Sequence, residues 1–132
     1  DIPWLNMIEI IANNILNDGM IEPLVLGGYV TTNKQIYSKY LPKAKYLDET
    51  SNRIVEQIIE EIKSKGDLSD RSKNDFHDLI KNNIGKIDSI IFACTELPIV
   101  FKSEELLGLR VFDCLTIYAE DAIKYGLQLN KK

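Results

Sequence analysis

Ser89-Ile90-Ile91-Phe92-Ala93-Cys94-Thr95-Glu96-Leu97-Pro98 is an apolar run that ends in a thiol, a hydroxyl and a carboxylate in succession. Ile90 to Ala93 make the near-continuous hydrophobic segment of a strand buried on both faces of a parallel sheet. Pro98 has no N–H to give a central strand, so the strand ends before it. Cys94, Thr95 and Glu96 are therefore expected just past the carboxyl end of a buried strand, the edge at which open α/β sheets bind ligands. A cysteine by itself reads first as a small buried hydrophobe. The Thr-Glu that follows shifts that reading toward a site, because two polar side chains rarely follow a core cysteine without a reason.

Working outward, Gly85 closes a helix predicted over 70–83, with Phe76, Leu79, Ile80 and Ile84 on one side. Before it, Ile54, Val55, Ile58, Ile59 and Ile62 form the buried stripe of another helix, with Glu56, Glu60, Glu61 and Lys63 toward water. Thr50 or Ser51 is its expected cap, and the segment 65–68 ends it. Residues 43–47 read as a strand and 24–26 as a short buried strand that breaks at Gly27-Gly28. Thr31 or Thr32 is expected to cap a helix running to about Tyr40, whose free N–H groups would suit a carboxylate; both threonines read equally well as ordinary caps. Residues 2–7 read as a strand or crossover and 8–17 as a helix. Downstream of Pro98 comes an irregular stretch, then a strand over 109–112 and a final helix over 115–126. The alternation of strands and helices predicts an α/β fold, a three-layer sandwich around a parallel sheet.

The chain has 132 residues, one ordinary domain, with 16 Lys and Arg against 20 Asp and Glu and a formal net charge of −4. No basic block is present, so no nucleic-acid partner is expected. No apolar run reaches the roughly 18 residues of a membrane span, and no signal peptide is read. The two cysteines, Cys94 and Cys114, lack a metal or redox spacing and read as reduced thiols of a cytoplasmic protein. His77 lies among charged and polar residues without a partner for chemistry. Arg71 and Lys73, at the start of a helix, read on pattern alone as solvated face. The opening Asp1-Ile2-Pro3-Trp4-Leu5 starts as though within a strand, which leads to the expectation that residues precede Asp1 in the complete protein.

Ala93-Cys94-Thr95-Glu96-Leu97-Pro98 resembles the Gly-Cys-Thr-Glu-[Leu/Ile]-Pro motif near the C-terminus of the aspartate/glutamate racemase family. The resemblance extends over nearly the whole chain. Ile2-Pro3 is similar to the segment linking the family's two lobes. Leu26-Gly27, Thr31 and Tyr37 resemble its Leu-Gly-Thr-x-x-Thr…Tyr stretch. Gly66 with a basic residue soon after is similar to a feature that helps hold the substrate's side-chain carboxylate. Asp113 and Thr116-Ile117-Tyr118-Ala119-Glu120 resemble the closing helix. Glu96, where cell-wall glutamate racemases carry histidine, points to the aspartate racemase branch or its broad-specificity relatives.

The resemblance implies one lobe of a two-lobe racemase fold: residues 1–113 as the C-terminal α/β lobe with the crossover from a missing first lobe, and 114–132 as a terminal helix packing back toward that lobe. It implies a cofactor-independent amino-acid racemase, free of pyridoxal phosphate and metal, acting on aspartate, glutamate or a related acid. One thiolate removes the α-proton and a thiol on the opposite face returns one. Cys94 would be the base or acid of this lobe, with a lowered pKa. Thr31 and Thr95 would hold the substrate carboxylate, and Arg71, or else Lys73, the side-chain carboxylate. Glu96 would contact the substrate ammonium or stiffen the motif. The implied partners are a small-molecule amino acid, the first lobe and, as is common in the family, a second copy. Gly28 stands where a threonine is frequent, Tyr118 where histidine is, and Ala93 where glycine is. Cys114 falls at a Ser/Thr position and reads as a buried strand-end thiol rather than a second base. The competing readings are a non-catalytic amino-acid-binding protein of the same fold and a one-cysteine decarboxylase or isomerase.

Overall fold

The computed structural model describes residues 7–130. Helix α1 (Met7–Asn17) forms because Ile11, Ala12 and Ile15 recur at helical spacing and turn one stripe to the core. The strand expected over 2–7 lies outside the described residues except for Met7, which opens α1. Strand β1 (Pro23–Leu26) is buried at every position, with Pro23 at its first residue, where a missing N–H is tolerated.

The next helix departs from expectation. α2 (Tyr29–Asn33) has only five residues, its N-cap is Gly28, and Thr31 and Thr32 lie inside it rather than capping it. It does not reach Tyr40 because Gln35 takes a φ of +48°, a left-handed conformation through which a right-handed helix cannot run. β2 (Lys45–Tyr46) is shorter than the 43–47 predicted. α3 (Glu49–Lys65) is capped by Asp48, not by Thr50 or Ser51: the Asp48 carboxylate accepts the Ser51 N–H at 2.8 Å. Its buried stripe holds Val55, Ile58, Ile59 and Ile62, as the spacing predicts. α4 (Asp70–Lys81) starts from Ser69, whose hydroxyl accepts the Ser72 N–H, and buries Phe76, Leu79 and Ile80. Ile84, expected on that side, lies past the helix end and is exposed.

β3 (Ser89–Phe92) is buried throughout. α5 (Leu97–Val100) follows, with Pro98 in its first turn. The stretch read as irregular then holds a hairpin: β4 (Glu105–Leu106) turns through Leu107-Gly108 into β5 (Leu109–Asp113). Both turn residues have positive φ, +53° and +79°, the conformation of a two-residue hairpin turn that matches strand twist. α6 (Cys114–Asn130) leaves β5 directly.

The five strands stand in the order β2-β1-β3-β5-β4. The first four are parallel, and β4 pairs antiparallel with β5, so the sheet is mixed at one edge rather than wholly parallel. Alternate strand residues feed opposite faces. Leu24, Leu26, Ile90, Phe92 and Val111 pack with α3, α4 and Leu97 on one side. Val25, Ile91 and Phe112 pack with α1, Tyr37, Leu41 and Cys114 on the other, where α6 lies against α1. This is the expected α/β three-layer sandwich. No described helix is long and apolar enough to cross a membrane.

Candidate active site

Parallel pairing aligns the carboxyl ends of β1, β3 and β5, and three short sequences meet there. Leu26 stands beside Phe92 and Phe92 beside Asp113, so Gly27-Gly28, Ala93-Cys94 and Asp113-Cys114 leave the sheet side by side. The Ala93 N–H donates to the Leu26 carbonyl at 2.8 Å, which carries the β1–β3 pairing one residue past the strand. Gly27 permits this closeness: a Cβ there would lie 3.1 Å from the Ala93 oxygen and 3.2 Å from its Cβ.

Cys94 sits in the bend between β3 and α5 and is half-buried. Burial pushes its thiol pKa up, with smaller upward contributions from the Glu96 and Asp113 carboxylates. The N–H groups of Leu97 and Glu96 act on the sulfur in the opposite sense and lose. The lowered pKa expected from the sequence is therefore not what this lobe produces. Four residues of helix, with two N–H groups, do not offset removal of the thiolate from water. Thr95 is exposed, and its hydroxyl donates to Glu96 Oε2 at 2.7 Å, so the two polar residues of the motif hold each other. Asp113 accepts the Leu115 N–H at 3.1 Å and the Thr116 hydroxyl at 2.9 Å, which anchors the start of α6 beside Cys94.

Thr31 is half-buried in α2, and its side chain makes no hydrogen bond among the described residues. Thr32, its neighbour, is buried and bonded back to the Gly28 carbonyl at 3.1 Å. Arg71 is exposed in the first turn of α4. Lys73 holds its Nζ 3.9 Å from Asp67 Oδ1. No hydrogen bond or ion pair links Arg71 or Lys73 to Cys94, Thr95 or Glu96 among the described residues. Cys114 is 4% exposed, with its sulfur 3.0 Å from the Tyr37 hydroxyl. Burial pushes its thiol up to about 12, so it is a structural thiol and not an available base.

Asp113 stands out in the sequence only through the closing motif; its contacts to Leu115 and Thr116 follow from β5 running on to Asp113 and α6 starting at Cys114, one residue beyond the strand and one before the helix expected. A cavity of about 290 Å³ opens beside the motif, lined by Pro98, Phe101, Arg110, Asp113 and Thr116 among others. Around the same edge Tyr29, Val30, Ile99 and Leu115 expose large apolar side chains. Among the described residues no group of three or more His, Cys, Asp or Glu could hold a metal ion.

No family model matches the chain, and no curated protein matches it. Solved structures do. A candidate Asp/Glu racemase from Yersinia pestis superposes with a TM-score of 0.83 at 26% identity, over 96% of this chain and 57% of that one. An aspartate racemase homologue from Pyrococcus horikoshii gives 0.79 at 25% identity, over 95% of this chain and 57% of that one. An aspartate racemase of Picrophilus torridus shares the fold at 24% identity and a TM-score of 0.70, over 86% of this chain and 48% of that one. The chain thus spans about half the length of the solved proteins it resembles. With its α/β layers and its cysteine at the carboxyl edge, it is built as one lobe of the aspartate/glutamate racemase fold.

Proposed function

We propose that this chain is the C-terminal lobe of a cofactor-independent racemase for aspartate, glutamate or a related amino acid, with Cys94 as one of two proton-transfer groups. The observation that carries the reading is the seat of Cys94, one bend past the end of the central strand β3, with two N–H groups turned on its sulfur. The second cysteine comes from a first lobe facing this edge, and the apolar side chains of Tyr29, Val30, Ile99 and Leu115 are the surface it covers. A thiolate on one face takes the α-proton. The electron pair left on Cα then takes a proton from the thiol on the other face, and the two sulfurs have exchanged protonation states.

Burial raises the thiol pKa of Cys94 in this chain, which favours its protonated form as the starting state of this half of the exchange. Thr31 and Thr95 hydroxyls and the N–H groups after Cys94 bind the α-carboxylate. Arg71 or Lys73 meets the side-chain carboxylate. The same raised pKa supports a second reading, a binding protein of this fold without turnover, since a buried thiol is a poor base until something stabilises its anion.

The test uses the full-length gene product incubated with L-aspartate and L-glutamate in deuterated water, with the α-proton signal followed by NMR beside a Cys94→Ala variant. Loss of the signal in the wild type but not in the variant is the expected result. No exchange with either acid, alongside measurable binding of one of them, would establish the binding-only reading instead. The 132-residue chain alone is expected to exchange nothing, because it carries one face of the site.

A further inference from the structure

The segment that carries Thr31 cannot hold its own shape. α2 has five residues, too few internal bonds for a helix that stands by itself in water. Two residues past its end, Gln35 takes a φ of +48°, a left-handed conformation that costs a residue with a Cβ. Strained backbone of this kind persists where surrounding contacts over-determine it, and such places cluster at ligand-binding segments.

The contacts converge on Tyr37. It is 1% exposed, and every polar group it has is engaged. Its N–H donates to the Tyr46 hydroxyl of β2 at 3.1 Å. Its carbonyl accepts the Leu41 N–H at 2.8 Å and the Tyr40 N–H at 3.1 Å. These contacts are local. The hydroxyl instead reaches Cys114, 77 residues away at the start of α6, with 3.0 Å between oxygen and sulfur.

That distant contact bears on the site from both ends. On the Tyr37 side, the Thr31 carbonyl accepts the Ile36 N–H at 3.4 Å and the Thr32 carbonyl the Gln35 N–H at 3.3 Å. The chain between Thr31 and Tyr37 is thus closed by backbone bonds, and a displacement of Tyr37 is passed to α2. On the Cys114 side, the preceding residue, Asp113, stands in register with Phe92, two residues before Cys94. The front of α2 is held separately, by the Thr32 hydroxyl on the Gly28 carbonyl at 3.1 Å and by Asn52 Nδ2 on Thr32 Oγ1. Thr31 lies between the two anchors with its own hydroxyl uncommitted among the described residues.

We propose that Tyr37 is a positioning residue: its hydroxyl, held on Cys114, fixes the segment that presents Thr31 to the substrate carboxylate at the edge where Cys94 sits. The role of Thr31 in this statement rests on the function proposed above. Tyr37→Phe keeps the ring and removes only the hydroxyl. Two readings are taken on the full-length gene product. One is amide hydrogen exchange over residues 28–36, by mass spectrometry. The other is α-proton exchange of L-aspartate and L-glutamate in deuterated water at varied concentration. In Tyr37→Phe, amide exchange in that segment should be about ten-fold faster while β1 and β3 are unchanged. KM should rise about three- to ten-fold with kcat held within about two-fold, the split expected when a binding contact alone is loosened. Cys114→Ala removes the same bond from the other side and should reproduce both changes. Cys114→Ser should restore them in part, and adding Tyr37→Phe to Cys114→Ala should change little more.

Unaltered amide exchange over 28–36 would overturn the proposal whatever the activity. So would faster exchange in β1 and β3 to the same degree, which would make Tyr37 a core residue only, or an unaltered KM. A wild type that exchanges neither acid would instead sink the racemase reading, and the amide readings then decide the anchoring by themselves.

Discussion

Raising the pH should destabilise this protein through one buried pair. Cys114 and Tyr37 touch at 3.0 Å in the core beneath α6 and α1, both almost wholly buried. Burial raises the pKa of each, and the Cys114 thiol moves from an ordinary 9.0 to about 12. The unfolded thiol ionises above pH 9 while the folded one resists until about pH 12, so the unfolded state alone gains from deprotonation across that window. Stability is full below pH 9 and falls as pH climbs. Each pH unit costs about 1.4 kcal/mol for this one group, a large part of a typical domain's total stability. Tyr37, raised by the same burial and by the neighbouring sulfur, steepens the fall once unfolded tyrosine begins to ionise.

The assay is urea unfolding under reducing conditions at about pH 8 and about pH 11, comparing wild type with Cys114→Ser. Serine keeps a hydroxyl for Tyr37 and removes the titration. Wild type should lose about 3 kcal/mol more than the variant between the two conditions. Parallel losses in the two proteins would refute the reasoning, since the thiol would then ionise with the same ease folded and unfolded.

Two further outcomes test the packing that positions the site. Gly27→Ala forces a Cβ to 3.1 Å from the Ala93 oxygen, and the β1–β3 approach must give. The expected cost is about 1–3 kcal/mol in urea unfolding, with a changed rate of Cys94 modification by a thiol reagent; an unaltered midpoint and rate would contradict the close approach. Phe76 is fully buried and stacks on Phe101 at 4.5 Å. Phe76→Ala should cost about 3–5 kcal/mol, and a loss under about 1 kcal/mol would mean the aromatic cluster under α5 is not packed as described.

How much of this was legible in the sequence follows element by element. The stripes of α1 and α3 and the run before Cys94 were readable because burial on one face of a helix, or both faces of a strand, leaves a period in the chain. The short α2 was not, since nothing in Thr-Thr-Asn-Lys-Gln announces that Gln35 will take a positive φ. The β4–β5 hairpin escaped for a similar reason: Leu107-Gly108 lacks the Asn-Gly or Asp-Gly signature of such a turn. The edge at which Cys94, Thr95 and Glu96 sit was readable, because an apolar run that stops at Pro98 can end in few ways. The thiol's pKa was not: the motif supplies N–H groups nearby, but the depth of burial that outweighs them depends on residues of other elements.

The sequence by itself determined the helices α1, α3, α4 and α6 and the buried strands β1, β3 and β5, and that a thiol, a hydroxyl and a carboxylate end the central strand. Local hydrophobic period and proline position are enough for that. Tertiary structure alone decided that Asp113 joins Cys94 and that Cys114 hides behind Tyr37. These are relations between residues far apart in the chain. They are set by strand register and by which face of the sheet each helix covers, and no local pattern encodes either.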